Sequence, residues 1–300
     1  MTVTLATGGR ILSPVSRDAT ALAHDGGTVV WVGQDAPAPA LHPDAERVDL
    51  SGDWVAPAFV EPLSAGLDER GAAAAGVVLA ALPPVHPVAE VAERVAAGER
   101  VVVDADDDLD ALAAALTGAA ADHGGPAVAR CTPTVVGVPH LGDATLTALA
   151  RVGTVALLRP LDRAPEGLDL VHLAGEGLVL AASVRRGDDL APWDALRALC
   201  TVPGGRGLSP RAAFTAATRG ARKAAGERDG AVGTLVPGAP ATYARWRTGE
   251  LVTRAADDAV QRWSTDPRSG VPPMPDLDGP DPELVSLTVD GARPVRGTAG

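Results

Sequence analysis

The sequence contains few of the residues that form cross-links, basic surfaces or membrane spans. Only two cysteines occur among 300 residues, Cys131 and Cys200, and their wide separation without C-x-x-C spacing excludes a disulfide framework and a zinc-ribbon signature. Aromatic residues make up 3% of the chain, and Lys223 is its single lysine. No window reaches the ~20 uncharged apolar residues of a membrane span, and no basic start precedes an apolar run. We therefore expect a cytoplasmic protein with reduced thiols.

Positive charge is also scarce. Asp and Glu outnumber Lys and Arg by 38 to 26, which gives a formal net charge of -12. Such a chain repels a phosphate backbone, so we expect neither nucleic acid nor an anionic membrane as a partner. The hydrophobic content of 46% is enough for a substantial core, and at ~150 residues per domain the length predicts about two domains.

A β-rich segment is followed by an alternation of strands and helices. Short β-type runs and turns fill residues 1–55, with a hairpin signal at Asp25, Gly26 and Gly27. From residue 56 onward, apolar runs alternate with Ala-rich helical segments, which is typical of a parallel sheet covered on both faces. The six candidate strands lie at residues 57–61, 76–82, 100–104, 127–131, 154–158 and 177–182.

Helices are predicted between and after these strands. They are expected at residues 88–97, 109–121, 144–152, 193–200 and 210–225. The last of them has the clearest boundaries: Ser209 caps it, Pro210 occupies its first turn, and Gly226 ends it after Lys223 has placed a cation near its C-terminus. β-type runs return after this helix.

The order of these segments predicts a discontinuous domain organisation of the α/β class. Because β structure flanks the βα alternation, the chain ends are expected to meet in a small β-sandwich-like module of residues 1–55 and 231–300. Residues 56–230 are predicted to form an incomplete or shrunken TIM-like (β/α) barrel. Six strands are fewer than the eight of a complete barrel. The segment of residues 56–226 is also shorter than the ~200 residues of the smallest complete barrels.

Several motifs resemble those of the metal-dependent amidohydrolases. GDWVAPAFVE at residues 52–61 is similar to the start of that family's barrel, G-x-x-V-x-P-G-F-V-D-x-H-x-H. LSPRAAFTAAT at 208–218, followed by GTLVPGAPA at 233–241, resembles the family's last barrel helix and its return to the β-sandwich. WSTDPRSGVP at 263–272 is similar to the subgroup called amidohydrolase family 3. The resemblance implies a barrel with one or two divalent metals that activate water against C–N bonds.

The resemblance also implies where metal ligands should lie, at the carboxyl ends of barrel strands. Leu63 and Ala65 stand in place of the two H-x-H histidines, and Val184 stands in place of the catalytic Asp. The positions that correspond to family ligands are Leu63, Ala65, Asp104, Cys131 and Val184. Since a hydrolytic metal needs about three or more N or O ligands from the protein, the resemblance predicts a lost metal site.

Two of these correspondences depend on short motifs. VVVDADDD at 101–108 resembles a family segment ending in H-x-I-G-D, which places the histidine at Asp104 or at Val103. VARC at 128–131 resembles V-x-E-H, with Arg130 in place of the Glu. The carbamylated lysine that bridges two metals in many members is excluded, because no lysine occurs between residues 56 and 222.

Other polar residues near the predicted strand ends offer alternatives. His86 and His140 with Asp104 could form a relocated site, although the prolines beside both histidines favour loop or cap positions. The acidic run at 104–110 could bind Mg²⁺ or Ca²⁺, but capping of the following helix is the simpler interpretation. Cys131 with His140 could form a thiol nucleophile, yet no third group orients them, and a buried structural cysteine is simpler.

The sequence favours an amidohydrolase-like protein without catalytic residues or a cofactor and with a binding or regulatory role, for instance toward a small-molecule ligand. One alternative is an active amidohydrolase that hydrolyses an amide- or formamide-type C–N bond through a rearranged site with one zinc-like divalent metal. A second alternative is a decaying gene product with no selected role. The open edge of an incomplete barrel also predicts a homo-oligomer. Residues expected at the mouth of a pocket are Glu61, His86, Asp104, Asp106, His140 and Arg185.

Overall fold

The chain divides into two compact units in its computed structural model, which describes residues 2–252, 273–292 and 295–296. The first unit comprises Met1–Phe59, Asp68–Val78 and Asp229–Gly300. The second comprises Val60–Leu67 and Leu79–Arg228. The motif at residues 263–272 that resembles amidohydrolase family 3 lies outside the described residues.

Short strands and helices alternate along most of the chain. The strands are β1 (Val3–Thr7), β2 (Arg10–Ile11), β3 (Ala21–Asp25), β4 (Thr28–Gly33), β5 (Glu46–Asp49), β6 (Trp54–Pro57), β7 (Phe59–Glu61), β8 (Val77–Leu79), β9 (Val102–Asp104), β10 (Thr134–Val136), β11 (Val155–Leu158), β12 (Val179–Ala182), β13 (Arg185–Arg186), β14 (Asp189–Leu190), β15 (Tyr243–Arg247), β16 (Leu251–Val252), β17 (Met274–Pro275), β18 (Glu283–Thr288) and β19 (Val295–Arg296). The α-helices are α1 (Ala38–Leu41), α2 (Glu69–Ala74), α3 (Val91–Ala97), α4 (Leu109–His123), α5 (Gly125–Arg130), α6 (Asp143–Arg151), α7 (Leu170–Gly175), α8 (Pro192–Cys200), α9 (Pro210–Thr215) and α10 (Ala221–Ala224). A π-helical turn, Ala216–Gly220, joins α9 to α10.

Two sheets make up most of the first unit. One has the strand order β4, β3, β1, β5, and the other has the order β19, β18, β15, β6, β2. In the second sheet, β15 pairs antiparallel with β6, so that Tyr243 lies opposite Pro57. Leu22 of the first sheet and Val55 of the second belong to one buried apolar cluster. Strands from both parts of the chain therefore contribute to one sheet, and both sheets contribute to one core.

Four parallel strands, β9 to β12, organise the second unit. They lie side by side in chain order, with Thr134 paired to Val102 on one side and to Val155 on the other. Near-continuous apolar strands of this kind need apolar cover. Ala224, Leu63 and Leu82 pack with Val102, Val155 and Leu157 of these strands in one apolar cluster. The predicted α/β class with parallel strands is confirmed. Within the part of the chain that the structure describes, these strands do not close into a barrel.

The helix α4 confirms the simpler interpretation of the acidic run. Asp108 caps the helix, because its carboxylate accepts a hydrogen bond of 2.9 Å from the backbone N–H of Ala111, and Asp110 adds negative charge in the first turn. With 15 residues, α4 is the longest helix that the structure describes. None of the described helices combines the length and apolarity needed to cross a bilayer.

The last helical segment begins as predicted and ends before Gly226, which has a positive φ of 97°, as predicted, but a different cation binds its C-terminus. Ser209 accepts a hydrogen bond of 3.3 Å from the N–H of Ala212, which confirms the cap. At the other end, the guanidinium of Arg100 donates hydrogen bonds to the carbonyl oxygens of Ala224 and Ala225. The cation that satisfies the free carbonyls at this C-terminus is thus Arg100, which lies more than a hundred residues away in sequence, rather than Lys223.

The predicted strand at residues 127–131 is wrong. This segment forms α5, which follows Gly124 with its positive φ of 85° and has Pro126 in its first turn. The neighbouring strand is β10, which is separated from α5 by three residues and begins at Thr134 with a run of β-branched side chains. An apolar run with alanines fits a buried helix as well as a strand, and here the flanking Gly and Pro favour the helix.

Close packing at Gly220 leads to a testable prediction. A Cβ atom at this position would lie 2.2 Å from the carbonyl oxygen of Leu180 in β12. We expect Gly220→Ala to lower the free energy of unfolding by about 1 to 3 kcal/mol, because the backbone must shift to admit the methyl group. Gly118→Ala in α4 is the matched control and should raise stability by about 0.5 to 1 kcal/mol, since nothing lies within 4 Å of its Cβ. Urea denaturation measures both, and equal effects would contradict the packing.

Candidate functional site

A cavity lies beyond the carboxyl ends of the parallel strands in the second unit. Its volume is about 880 Å³, and its lining includes Asp104 at the end of β9, Val136 at the end of β10 and Arg159 directly after β11. Leu63, Leu82 and three prolines form its apolar walls. In parallel α/β folds this edge of the sheet is the usual place for ligand binding, because loops and strand ends converge there.

Glu61 lies deepest among the predicted residues. It is fully buried, and its carboxylate accepts hydrogen bonds from the backbone N–H of Leu63 (2.7 Å), the backbone N–H of Val184 (2.7 Å) and the hydroxyl of Ser183 (2.8 Å). Burial raises the pKa of Glu61, and these hydrogen bonds together with the charge of Arg185 oppose that rise. Glu61 thus joins the segment after β7 to the end of β12.

Arg185 makes the most contacts among the charged residues of the cavity. One guanidinium nitrogen, Nη1, donates to the carbonyl oxygens of Leu63 and Ala65, each at 2.9 Å. Nη2 donates to Asp188 at 3.1 Å, and Nε donates to the carbonyl oxygen of Gly187. Arginine presents several donors in a fixed planar arrangement. One side chain can therefore bind both the segment of Leu63 and Ala65 and the turn of Gly187 and Asp188. A permanent positive charge therefore contacts the segment where the resemblance places the H-x-H histidines.

Arg159 and Asp162 form a second charged pair in this cavity. Their closest atoms, Nη2 and Oδ2, are 3.2 Å apart, and the other oxygen of Asp162 accepts from the N–H of Gly187 at 3.1 Å. Although burial favours the neutral acid, the hydrogen bonds from Gly187 and Arg159 and the nearby positive charges lower the pKa of Asp162. The buried Nε of Arg159 has no hydrogen-bond partner among the described residues.

The structure brings together only part of the predicted pocket mouth. Asp104 and Arg185 line the cavity, whereas Glu61 is buried and absent from its lining. Asp106 forms an exposed ion pair with Arg163 at 2.7 Å.

Neither predicted histidine lines this cavity. The backbone N–H of His86 donates to Val102, and burial, with the charge of Arg94, lowers the pKa of its side chain. His140 is exposed and lines a separate cavity of about 170 Å³. Within the described ranges, no group of three His, Cys, Asp or Glu side chains is arranged to hold a metal ion.

The placement of Cys131 at a strand end is wrong. Cys131 follows α5, and its carbonyl oxygen accepts from the N–H of Val101, so it lies near the amino ends of β9 and β10. Burial raises the pKa of its thiol, which donates to the carbonyl oxygen of Ala127 at 3.4 Å. His140 follows the opposite end of β10, and the two side chains are not a nucleophile and its base. The carboxyl end of β10 carries Val136 and Gly137 instead.

Arg159, Asp162 and Ser183 were not predicted from the sequence. Arg159 follows directly on the apolar run 155–158, and a charged residue immediately after a buried parallel strand is expected at the carboxyl edge of the sheet. The position of Arg159 directly after this apolar run is therefore enough to predict that it lies near the cavity. Ser183 is buried, and its role depends on a hydrogen bond to Glu61 across 122 positions of sequence, for which no local pattern exists.

Comparisons with known proteins identify the fold. The chain is similar to guanine deaminase from E. coli, with 16% identity, a TM-score of 0.59 and coverage of 100% of both chains. It is also similar to an amidohydrolase from Thermotoga maritima, with 13% identity, a TM-score of 0.60 and coverage of 96% of this chain and 98% of that chain.

A third similar structure is N-isopropylammelide isopropylaminohydrolase from Burkholderia multivorans, with 14% identity, a TM-score of 0.56 and coverage of 97% of each chain. No protein-family profile matches the sequence, and no curated protein matches it significantly. These similarities support a mixed α/β fold with parallel strands like that of the amidohydrolases, although the described strands do not close into a barrel. At these identities the similarity concerns the fold alone.

Proposed function

We propose that this chain is a degenerate, truncated member of the amidohydrolase superfamily that binds a small polar molecule and does not hydrolyse C–N bonds through a bound metal. The observation that carries the proposal is the contact of Arg185 with the carbonyl oxygens of Leu63 and Ala65. A fixed cation at this segment repels a divalent metal, and the hydrocarbon side chains of Leu63 and Ala65 offer it no ligand.

The residues at the family's ligand positions do not fit a metal for a further reason. Leu63 packs against a buried apolar cluster that includes Val102 and Leu157, so its side chain adds to the hydrophobic core. Val184 is fully buried, and its backbone N–H is bonded to Glu61. Apolar packing in place of imidazole and carboxylate ligands supports a site that has been filled rather than rearranged.

The remaining charges suggest what the cavity binds. Arg159 lines the cavity with a guanidinium, and Asp104 lines it with a carboxylate. A small molecule with a carboxylate and an N–H group complements both, since its carboxylate accepts from Arg159 while its N–H donates to Asp104. The predicted homo-oligomer, the sandwich packing of the first unit, the barrel origin of the second and a cytoplasmic location stay part of this proposal.

Metal analysis tests the catalytic part of the proposal. The full chain is incubated with Zn²⁺, Fe²⁺ or Mn²⁺, desalted and analysed for bound metal, and it is assayed on amide, urea and formamide substrates with and without a chelator. We expect no stoichiometric metal and no chelator-sensitive turnover. One equivalent of tightly held metal together with chelator-sensitive turnover would establish the alternative, a C–N hydrolase with a rearranged site. His86, His140, Asp104 and Asp106 would then be the residues to mutate.

A thermal-shift comparison tests the binding part. N-acetylglycine carries both groups that the cavity is proposed to recognise, and N-acetylglycinamide lacks the carboxylate. N-acetylglycine should raise the melting temperature of the wild type more than the amide does, and Arg159→Met should remove the difference. Equal shifts by both probes, or an unchanged shift in the variant, would show that Arg159 does not recognise a carboxylate here.

A further inference from the structure

A second cavity in the same unit is separate from the strand-end site. Its volume is about 570 Å³, which falls within the ~300 to 1,000 Å³ of small-molecule pockets. Val179 and Leu180 of β12, together with Ala174, Leu208, Ala212 and Ala216, supply an apolar surface. None of these residues lines the cavity described above.

Three cations lie on one side of this apolar surface. Arg211, Arg219 and Lys223 line the cavity, and the lining contains no Asp or Glu. This composition is unusual for the chain, in which acidic residues outnumber basic ones by 38 to 26. Among the described residues, none of the three cations forms an ion pair, whereas the adjacent Arg222 is bonded to Glu227 at 2.8 Å. The cavity is thus a positively charged, partly apolar place in an acidic protein.

The helix geometry keeps these cations on one side. Positions 211, 215, 219 and 223 are spaced by four residues, and in a regular α-helix each such step turns about 40° beyond a full turn. The π-helical turn Ala216–Gly220 contains more residues per turn than an α-helix. Four residues therefore rotate by a smaller angle there, which keeps the side chains of this series closer to one face. π-helical turns occur frequently at functional sites. Gly220 ends this turn and lines the cavity.

The cations repel each other in the absence of an anion. Burial lowers the pKa of Lys223, and the charge of Arg219 lowers it further. Like charges grouped beside an apolar surface repel each other, which is unfavourable for the protein alone. A bound anion would attract each of these cations and so offset their mutual repulsion.

We propose that this cavity binds a small amphipathic carboxylate, with its hydrocarbon part against β12 and its carboxylate between Arg219 and Lys223. Charge complementarity selects an anion over a neutral or cationic molecule of the same shape. The apolar lining selects a hydrocarbon body over a small inorganic anion, because burial of apolar area supplies the non-directional part of the affinity. The proposal does not depend on the strand-end site.

Isothermal titration calorimetry of the full chain tests the proposal with three probes below their aggregation concentrations. Decanoate carries both features, decanol lacks the charge, and acetate lacks the hydrocarbon body. We expect saturable binding of one decanoate, with decanol and acetate each weaker by about tenfold or more. Arg219→Gln and Lys223→Gln should each weaken decanoate binding by about tenfold. Arg247→Gln is the matched control, an exposed arginine in the other unit, and should leave it unchanged.

Several outcomes would overturn the proposal. Equal affinity for decanol would show an apolar cavity without anion recognition, and unchanged decanoate binding in both glutamine variants would place the ligand elsewhere. Light scattering of the same samples adds a readout that does not need a ligand. If the wild type is a dimer and Arg219→Gln or Lys223→Gln makes it a monomer, a second copy of the chain covers this face instead of a carboxylate. Both variants are surface changes, and circular dichroism confirms that each is folded.

Discussion

Replacing Glu61 with alanine is expected to lower the free energy of unfolding by about 2 to 5 kcal/mol. The variant leaves the buried backbone N–H of Val184 and the partly buried N–H of Leu63 without an acceptor, and each unsatisfied buried donor costs about 1 to 3 kcal/mol. Urea denaturation measures the loss. Glu93→Ala, at an exposed position of α3, is the matched control and should change stability by less than about 0.5 kcal/mol. A loss below about 1 kcal/mol for Glu61→Ala would contradict the network.

The effect of Glu61 should also depend on pH. Because burial raises its pKa, the folded chain binds the proton more tightly than the unfolded chain does. The stabilising contribution of this group is therefore complete below its unfolded pKa and declines as the pH rises toward its folded pKa. Glu61→Gln does not titrate, so the stability advantage of the wild type over this variant should be smaller at pH 8 than at pH 4. An advantage that grows with pH would show that the hydrogen bonds outweigh burial.

The second large effect is expected at Arg245 in the first unit. Its Nε donates to the carboxylate of Asp53, and its two terminal nitrogens donate to the carbonyl oxygens of Asp49 and Leu50, each at 3.0 Å. The side chain of Asp53 is only 7% exposed. Arg245→Met should therefore lower the free energy of unfolding by about 3 to 5 kcal/mol, because it leaves a buried carboxylate without a counter-charge.

Arg247 provides the matched control on the same strand. It pairs with Glu283 at 2.7 Å, but both side chains are more than half exposed. Arg247→Met should thus cost less than about 1 kcal/mol in the same denaturation experiment. Adding Asp53→Leu to Arg245→Met should recover much of the lost stability, since the double variant removes the unpaired charge. Equal losses of stability for Arg245→Met and Arg247→Met would show that the burial of Asp53 does not determine how much the ion pair stabilises the fold.

The sequence was sufficient to predict those elements whose boundaries are determined by neighbouring residues in the chain. The cap at Ser209 and the acidic start of α4 are set by side chains within three residues of the groups they bond, so both could be predicted without knowing the fold. The strand predicted at 127–131 was wrong because apolar composition does not separate a short helix from a short strand. There the information lay in Gly124 and Pro126, which favour the start of a helix.

The candidate site was predicted in part for a similar reason. Arg185 and Asp104 are polar residues at strand ends, and the strand pattern was enough to place both near the cavity. Two partners of Arg185, the carbonyl oxygens of Leu63 and Ala65, lie more than a hundred residues away. Every residue has such a carbonyl, so the sequence does not mark which ones Arg185 binds. The burial of Glu61 likewise depends on packing of distant segments.

The guanidinium of Arg185 has a consequence for the conditions under which the strand-end cavity keeps its shape. A metal ion exchanges with its surroundings, competes with protons for its ligands and is withdrawn by chelating molecules. A guanidinium is covalently part of the chain and stays protonated throughout the physiological pH range. The segment that carries Leu63 and Ala65 is therefore bound by a cation that remains in place when the cell is short of metal ions.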